Sequence, residues 1–178
     1  NSKFGYSVSL SGDGTRLAIG APDNDSDDGT VEVYSYDAGT NTWSQLGSDV
    51  NGGGDYGFGN SVAMSGNGLA FVAGASRYSS DKGRARKYEW TGSSWTRTRN
   101  SLTGSSDGDM FGTSVAISND GSIVAVGAPR HGTSVGVVRV FEEDKKKVIK
   151  IATPSSQILV DEVWMTDDQI NDYRNQKI

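Results

Sequence analysis

The chain of 178 residues carries 22 acidic and 17 basic side chains, for a formal net charge of -5, and this acidic balance speaks against a nucleic-acid-binding surface, which needs a basic footprint. It contains no Cys, which removes disulfides, thiolate metal sites and thiol nucleophiles together, and no apolar run reaches the roughly 18 residues of a membrane-spanning helix. An apolar content of 34% with 24 Gly and 3 Pro predicts many short strands joined by tight turns, long enough in total to bury one sizeable core.

In chain order, the start at Asn1-Ser2-Lys3-Phe4-Gly5 has neither Met nor a signal-like apolar segment and reads as a processed product or an excised fragment. Ser7 to Ser11 and Leu17 to Ala21 flank Asp13-Gly14, and Asp-Gly between apolar runs is a strong hairpin signal because both turn residues tolerate positive φ. The second strand is apolar on both faces through Leu17, Ala18 and Ile19, as expected of a strand sandwiched between sheets. Its Gly20-Ala21 end permits close backbone approach. Next comes the acidic loop Asp23 to Gly29. Its carboxylates Asp23, Asp25, Asp27 and Asp28 are hard oxygen donors of the kind calcium prefers, so they form a candidate metal set, the alternative being a solvated acidic loop. Asn24-Asp25-Ser26 is also a formal N-glycosylation sequon. A third strand follows at Thr30 to Tyr36, and Trp43 marks a fourth.

The same pattern is then written twice more. Phe4, Phe58 and Phe111 stand 54 and 53 residues apart. From each Phe, the third and fourth residues are Ser and Val (Ser7-Val8, Ser61-Val62, Ser114-Val115) and the seventh is Ser (Ser11, Ser65, Ser118). The ninth and tenth are Asp13-Gly14, Asn67-Gly68 and Asp120-Gly121, and Gly-Ala closes the second strand in every copy. A later Gly (Gly29, Gly83, Gly136) precedes a third strand bearing Tyr34, Tyr88 or Phe141. Four short antiparallel strands recurring at this period describe a β-propeller blade, whose sheets pack face to face. The expected fold is all-β, with three four-stranded antiparallel blades. These occupy residues 1–57, 58–110 and 111–152, with a C-terminal extension at 153–178.

The stretches Phe4 to Pro22 and Phe111 to Pro129 resemble FG-GAP repeats, the blade units of integrin alpha-subunit propellers and of many bacterial and algal surface proteins. The middle copy departs by ending in Ala75-Ser76 where the others have Ala-Pro. The resemblance implies a scaffold for recognition, usually extracellular and rarely an active site. It also implies calcium binding through a D-x-D-x-D-G loop between the first two strands. Here that position is a short turn, while the acidic loop lies one connection later and its Gly follows one place late.

Between blades, Gly52 to Gly57 fits G-x-G-x-x-G, yet no strand-then-helix context for a dinucleotide surrounds it; it reads as a flexible inter-blade loop. Asp55 and Asp109, just ahead of Phe58 and Phe111, are expected to stabilise turns by accepting backbone N–H bonds. Gly132 to Gly136 fits G-x-S-x-G beside His131, the sole histidine, but that motif needs a strand-to-helix elbow, so no catalytic residue is assigned. Thr166 and Gln169 make a capping box for a short helix in the extension.

Charge is uneven along the repeat. Residues 1–57 hold nine acids and two bases, and residues 58–110 hold four acids and seven bases. The basic set Arg77, Lys82, Arg84, Arg86 and Lys87 is a candidate surface for an acidic partner. Since closed propellers use about four to eight blades, three need further blades or chains to complete a ring. The expected function is a non-catalytic recognition or adhesion module for protein or glycan, extracellular or at the cell surface and part of a larger protein. The alternative is a structural subunit docked by its C-terminal tail into a large, organellar assembly.

Overall fold

The structure, a computed structural model, describes residues 2–24, 26–142, 147–148 and 163–164. Strand β1 (Ser7–Leu10) pairs antiparallel with β2 (Arg16–Ala21), and β2 with β3 (Thr30–Asp37). The outer edge of β3 is covered by β4 (Thr42–Gln45) and β5 (Val50–Asn51). The second sheet runs β6 (Ser61–Met64), β7 (Ala70–Ala75), β8 (Arg84–Trp90), β9 (Trp95–Thr103), with a bulge between Arg86 and Tyr88. The third runs β10 (Ser114–Ile117), β11 (Ile123–Ala128), β12 (Val137–Glu142). The fold is thus all-β, with one antiparallel sheet per repeat in simple up-and-down order.

The fourth strand expected of the third blade, within residues 111–152, lies mostly outside the described residues. Lys147–Val148, β13, pairs with Val163–Trp164, β14, as a separate ribbon. The capping box at Thr166 and Gln169 also lies outside them.

The Asp-Gly turns differ from the expectation that both residues go left-handed. Only the glycines do so, with φ of 70° at Gly14, 68° at Gly68 and 83° at Gly121. The preceding acid or amide serves as an acceptor instead. In blade 1 the Ser11 hydroxyl donates to Asp13 Oδ1 (2.6 Å), Thr15 N–H donates to the same oxygen (3.0 Å), and Ser11 Oγ accepts Arg16 N–H (2.9 Å). Ser65 with Asn67, and Ser118 with Asp120, repeat the clasp. This is why Ser recurs two residues ahead of the acid or amide. The clasp satisfies the loop's own backbone groups.

The core lies between sheets. One cluster joins Ala18, Val31, Val33 and Val50 of blade 1 to Phe58, Met64, Phe71, Ala73, Ala75 and Tyr88 of blade 2. The other joins Val72 and Ala85 of blade 2 to Phe111, Val124, Val126, Ala128 and Val137 of blade 3. Strand β7, covered on both sides, is buried at every residue, which explains its apolar run without alternation. Phe58 and Phe111 are both 0% exposed while Phe4 is 51% exposed, because each buried Phe packs into the blade before it.

The Gly-Ala ends of β2 and β7 allow that approach. A Cβ on Gly20 would lie 2.1 Å from the Gly59 carbonyl oxygen, and one on Gly74 would lie 2.0 Å from that of Gly112. Ser7 and Ser61 hold the same two carbonyls through their hydroxyls, each at 2.8 Å.

Candidate functional site

Antiparallel pairing places the start of β1, the end of β2 and the start of β3 at one end of blade 1, since Ser7 faces Gly20 and Thr30 faces Ala21. Blades 2 and 3 repeat this order, so three β2–β3-type loops and the segments leading into each Phe share that end. Asp23, Asp27, Asp28, Arg77 and Lys82 all belong to these loops.

The three loops share an unusual backbone. Ser79 (φ 47°, ψ 74°) and Ser80 (φ 56°, ψ 44°) lie left-handed inside a one-turn helix, Tyr78–Asp81, and Asp81 follows at φ 59°. Gly132, Thr133 and Ser134 take the same path at φ 58°, 57° and 70°, as do Ser26 and Asp27 at 58° and 73°. Left-handed backbone costs a residue with a Cβ about 1–2 kcal/mol, so seven such positions at one end need compensation. Part of it comes from the next blade. The Asp27 and Asp28 carbonyls accept Gly57 and Phe58 N–H at 2.8 and 3.2 Å; the Ser80, Asp81 and Lys82 carbonyls accept Gly108, Met110 and Phe111 N–H at 3.0, 2.7 and 3.2 Å.

The acidic set is divided. Asp23 pairs with Lys3 Nζ at 2.6 Å and with Arg77 Nη2 at 3.1 Å, and the Lys3 ammonium bond, aided by Arg77, holds its carboxyl below the ordinary range. Asp28 Oδ2 accepts Gly54 N–H at 3.0 Å. Asp25 lies outside the described residues. Among the described residues no three His, Cys, Asp or Glu side chains gather as a metal site would require. Of the sequon, Asn24 Nδ2 donates to Thr30 Oγ1 at 3.1 Å.

The basic set is also divided, and much of it faces inward. Arg77 bridges to Asp23 of the preceding blade, and Lys82 Nζ reaches Asp107 at 3.3 Å. Arg84 and Arg86 converge on Asp55, at 2.9 and 2.7 Å, and Asp55 is 1% exposed. Arg86 and Lys87 are each 7% exposed, with Lys87 Nζ 2.7 Å from Glu89. A surface of five free cations is therefore corrected to exposed Arg77 and half-buried Lys82 beside an internal ionic cluster. Burial pushes Asp55 above its ordinary value, with Arg86 and Arg84 pulling back part of the way. Arg84 also lies over the Tyr78 ring, 3.5 Å from its centroid.

The turn is closed by the Asp55 main-chain carbonyl, which accepts Phe58 N–H at 2.8 Å, while among the described residues its carboxylate meets the two guanidiniums in place of backbone N–H groups. The segment Gly52 to Gly57 is likewise no slack linker: Gly52 N–H bonds Gly29 (2.9 Å) and its carbonyl accepts Arg86 Nη1 (2.8 Å). Asp109 does act as expected, accepting Ser105 and Ser106 N–H at 3.0 and 2.9 Å. It also meets His131 Nδ1 at 3.1 Å. Burial raises its pKa, but Ser106, His131 and Ser105 outweigh that and hold it below the ordinary value. Ser134 lies in the left-handed turn, and Arg139 bonds the Ser105 hydroxyl and sits over the Phe111 ring, 5.5 Å from its centroid. The Asp55 and Asp109 clusters were missed in the sequence. Their signal was an acid ahead of each Phe with Arg at alternate positions of β8 and again at Arg139.

Residues 102–141 match the FG-GAP repeat family. No curated protein sequence matches the chain. Among solved structures, TolB from Acinetobacter baumannii is 21% identical over 86% of this chain and 33% of its own, with a TM-score of 0.47. Hydrazine synthase from Kuenenia stuttgartiensis is 15% identical over 76% of this chain and 33% of its own, with a TM-score of 0.50. The chain therefore spans 33% of the length of each, and the second likeness is one of fold alone, agreeing with a propeller.

Proposed function

We propose that this FG-GAP propeller module is a non-catalytic recognition element that grips a protein or glycan with the loop end of its blades. The observation that carries this reading is the left-handed backbone shared by all three loops at that end. Strain of this kind persists where the surroundings over-determine it, and it clusters at ligand-contacting segments. Loops on a rigid scaffold are also the usual carriers of binding residues. Tyr56, 54% exposed, adjoins Gly57, where a Cβ would lie 2.9 Å from Arg77 Nε, and Ser79 and Ser80 belong to the same loop as Arg77. An aromatic face, a cation and several hydroxyls suit a polar, extended ligand.

The test is binding of the full chain to a panel of defined polypeptides and oligosaccharides, by interferometry on the immobilised protein. Tyr56→Ala and Arg77→Ala should weaken capture by about tenfold or more, the scale of losing one interface anchor. Thr40→Ala, in the β3–β4 turn at the opposite end, should leave it unchanged. Equal capture by all variants would refute the assignment of the loop end.

A further inference from the structure

Two Asn-Gly pairs lie in the chain, Asn51-Gly52 and Asn67-Gly68, and the fold treats them differently. An Asn before Gly can cyclise on the main chain, because a glycine nitrogen with no Cβ beside it is the least hindered backbone nucleophile. Asn67 is locked against this. Its Oδ1 accepts the Ser65 hydroxyl at 2.7 Å and Leu69 N–H at 2.9 Å, and its Nδ2 donates to the Asp120 carbonyl at 3.3 Å. Gly68 N–H is itself bonded to the Ser65 carbonyl at 2.9 Å. Asn51 is exposed, and among the described residues no hydrogen bond holds its side chain. It ends the two-residue strand β5 on the outer edge of β3, where Gly52 N–H is held by one bond, to the Gly29 carbonyl at 2.9 Å.

The Gly of this pair is imposed by the fold, and the Asn is not. A Cβ on Gly52 would lie 2.2 Å from the Asp28 carbonyl oxygen, and one on the repeat-equivalent Gly104 would lie 2.1 Å from that of Lys82. Both donate to the Gly ahead of the third strand, Gly104 to Gly83 at 3.0 Å. The residue before Gly104 is Thr103, which faces Arg84 as Asn51 faces Thr30 and has no amide to cyclise. We propose that Asn51-Gly52 is a self-modification site, at which Asn51 deamidates through a succinimide and thereby loosens the junction of blades 1 and 2. The Gly52 nitrogen forms a bond to Asn51 Cγ and gives up its proton to the side-chain amide nitrogen, which departs as ammonia. Water then opens the ring at one of its two carbonyls, leaving either Asp or, with the chain routed through the side chain, isoaspartate. The extended backbone of β5 keeps the nitrogen away from Cγ, so the step follows local opening of this short strand. Isoaspartate lengthens the main chain by one methylene directly before Gly52. The Gly52 carbonyl accepts Arg86 Nη1 at 2.8 Å, and Asp55, whose carboxylate meets Arg84 and Arg86, follows in the same segment. Both anchors lose register together.

The test ages the full chain at neutral pH without denaturant and locates isoaspartate by peptide mapping with isoaspartyl methyltransferase labelling. Modification at Asn51 should outpace that at Asn67 by at least about tenfold, because the whole clasp must break before Asn67 can turn. In urea, where neither pair is held, the two sites should react at similar rates. Asn51→Thr, which copies the Thr103 position, should age without modification there and keep the circular dichroism of the parent. The aged chain with isoaspartate at position 51, separated by anion exchange, should unfold at lower urea than the fresh chain. Asn51→Asp, which adds the charge without the methylene, should unfold close to the parent. An unmodified Asn51 in the folded chain, an Asn67 that reacts as fast, or an isoaspartate chain that unfolds with the fresh one would overturn the proposal.

Discussion

Gly74 at the end of β7 lies so close to Gly112 of the next blade that a Cβ would stop 2.0 Å from the Gly112 carbonyl oxygen. That carbonyl also accepts the Ser61 hydroxyl at 2.8 Å, so neither partner can retreat without losing a bond. Gly74→Ala should cost about 3 kcal/mol, at the upper end of overpacking. Gly127→Ala, whose new methyl meets only the rotatable Ser114 hydroxyl, should cost under about 1 kcal/mol, in the range of ordinary surface changes. Denaturant midpoints of the two variants check the contrast.

Asp55 sits between two guanidiniums in a site that water barely reaches. Asp55→Asn keeps the shape and removes the charge, leaving Arg84 and Arg86 with no carboxylate. Breaking a buried pair from one side costs about 3–5 kcal/mol, and a loss of that size is expected in urea unfolding. A loss below about 1 kcal/mol, the level of an exposed pair, would mean that the cluster is solvated.

The turn carboxylates give a pH signature. Asp13 and Asp120 are held at about 2, first by the Ser11 and Ser118 hydroxyls and then by the backbone N–H two residues on. A depressed acid favours the folded chain when ionised. Its contribution is therefore complete above the ordinary value of 3.8 and fades as the pH falls through about 2. Carboxyl carbon shifts in an NMR titration should show both midpoints near 2. The Asn67 clasp of the middle blade has no carboxyl of its own, so its amide signals should show no separate midpoint and move only with Asp120, whose carbonyl accepts Asn67 Nδ2 at 3.3 Å.

Ser65, 0% exposed, is the most deeply buried of the three clasp serines, Ser11 being 6% exposed. Ser65→Ala strands the Ala70 N–H, which its oxygen accepts at 3.0 Å. A buried donor left without a partner costs about 1–3 kcal/mol. Ser118→Ala, at a more exposed clasp where water can replace the hydroxyl, should cost less, and thermal unfolding of the pair reads the difference.

Phe111→Ala should cost about 3–5 kcal/mol, as for a fully buried aromatic. It should also expose blade 3 to limited proteolysis before the other two, because that ring anchors the junction of blades 2 and 3.

The hairpins, the doubly covered β7 and the glycines of close approach were legible because each leaves a local mark: a turn dipeptide, an apolar run, a Gly in a strand. The repeat multiplied each mark by three. Arg84 and Arg86 were misread as outward-facing because long cations are usually solvated, and their partner Asp55 lies 29 and 31 residues earlier in the chain. Only sheet pairing brings them together. The left-handed loops were invisible for a different reason. Ser79-Ser80-Asp81 has no residue that demands positive φ, and the path is imposed by carbonyls that reach across to Gly108, Met110 and Phe111.

Because the apolar interior is laid down between sheets, among the described residues the middle sheet has a neighbour on both sides and each flanking sheet has one. Backbone amides should therefore exchange with solvent in a graded sequence, the flanking wedges first and β7 last. Such a stack gains cooperativity with every wedge added, much as a zipper does.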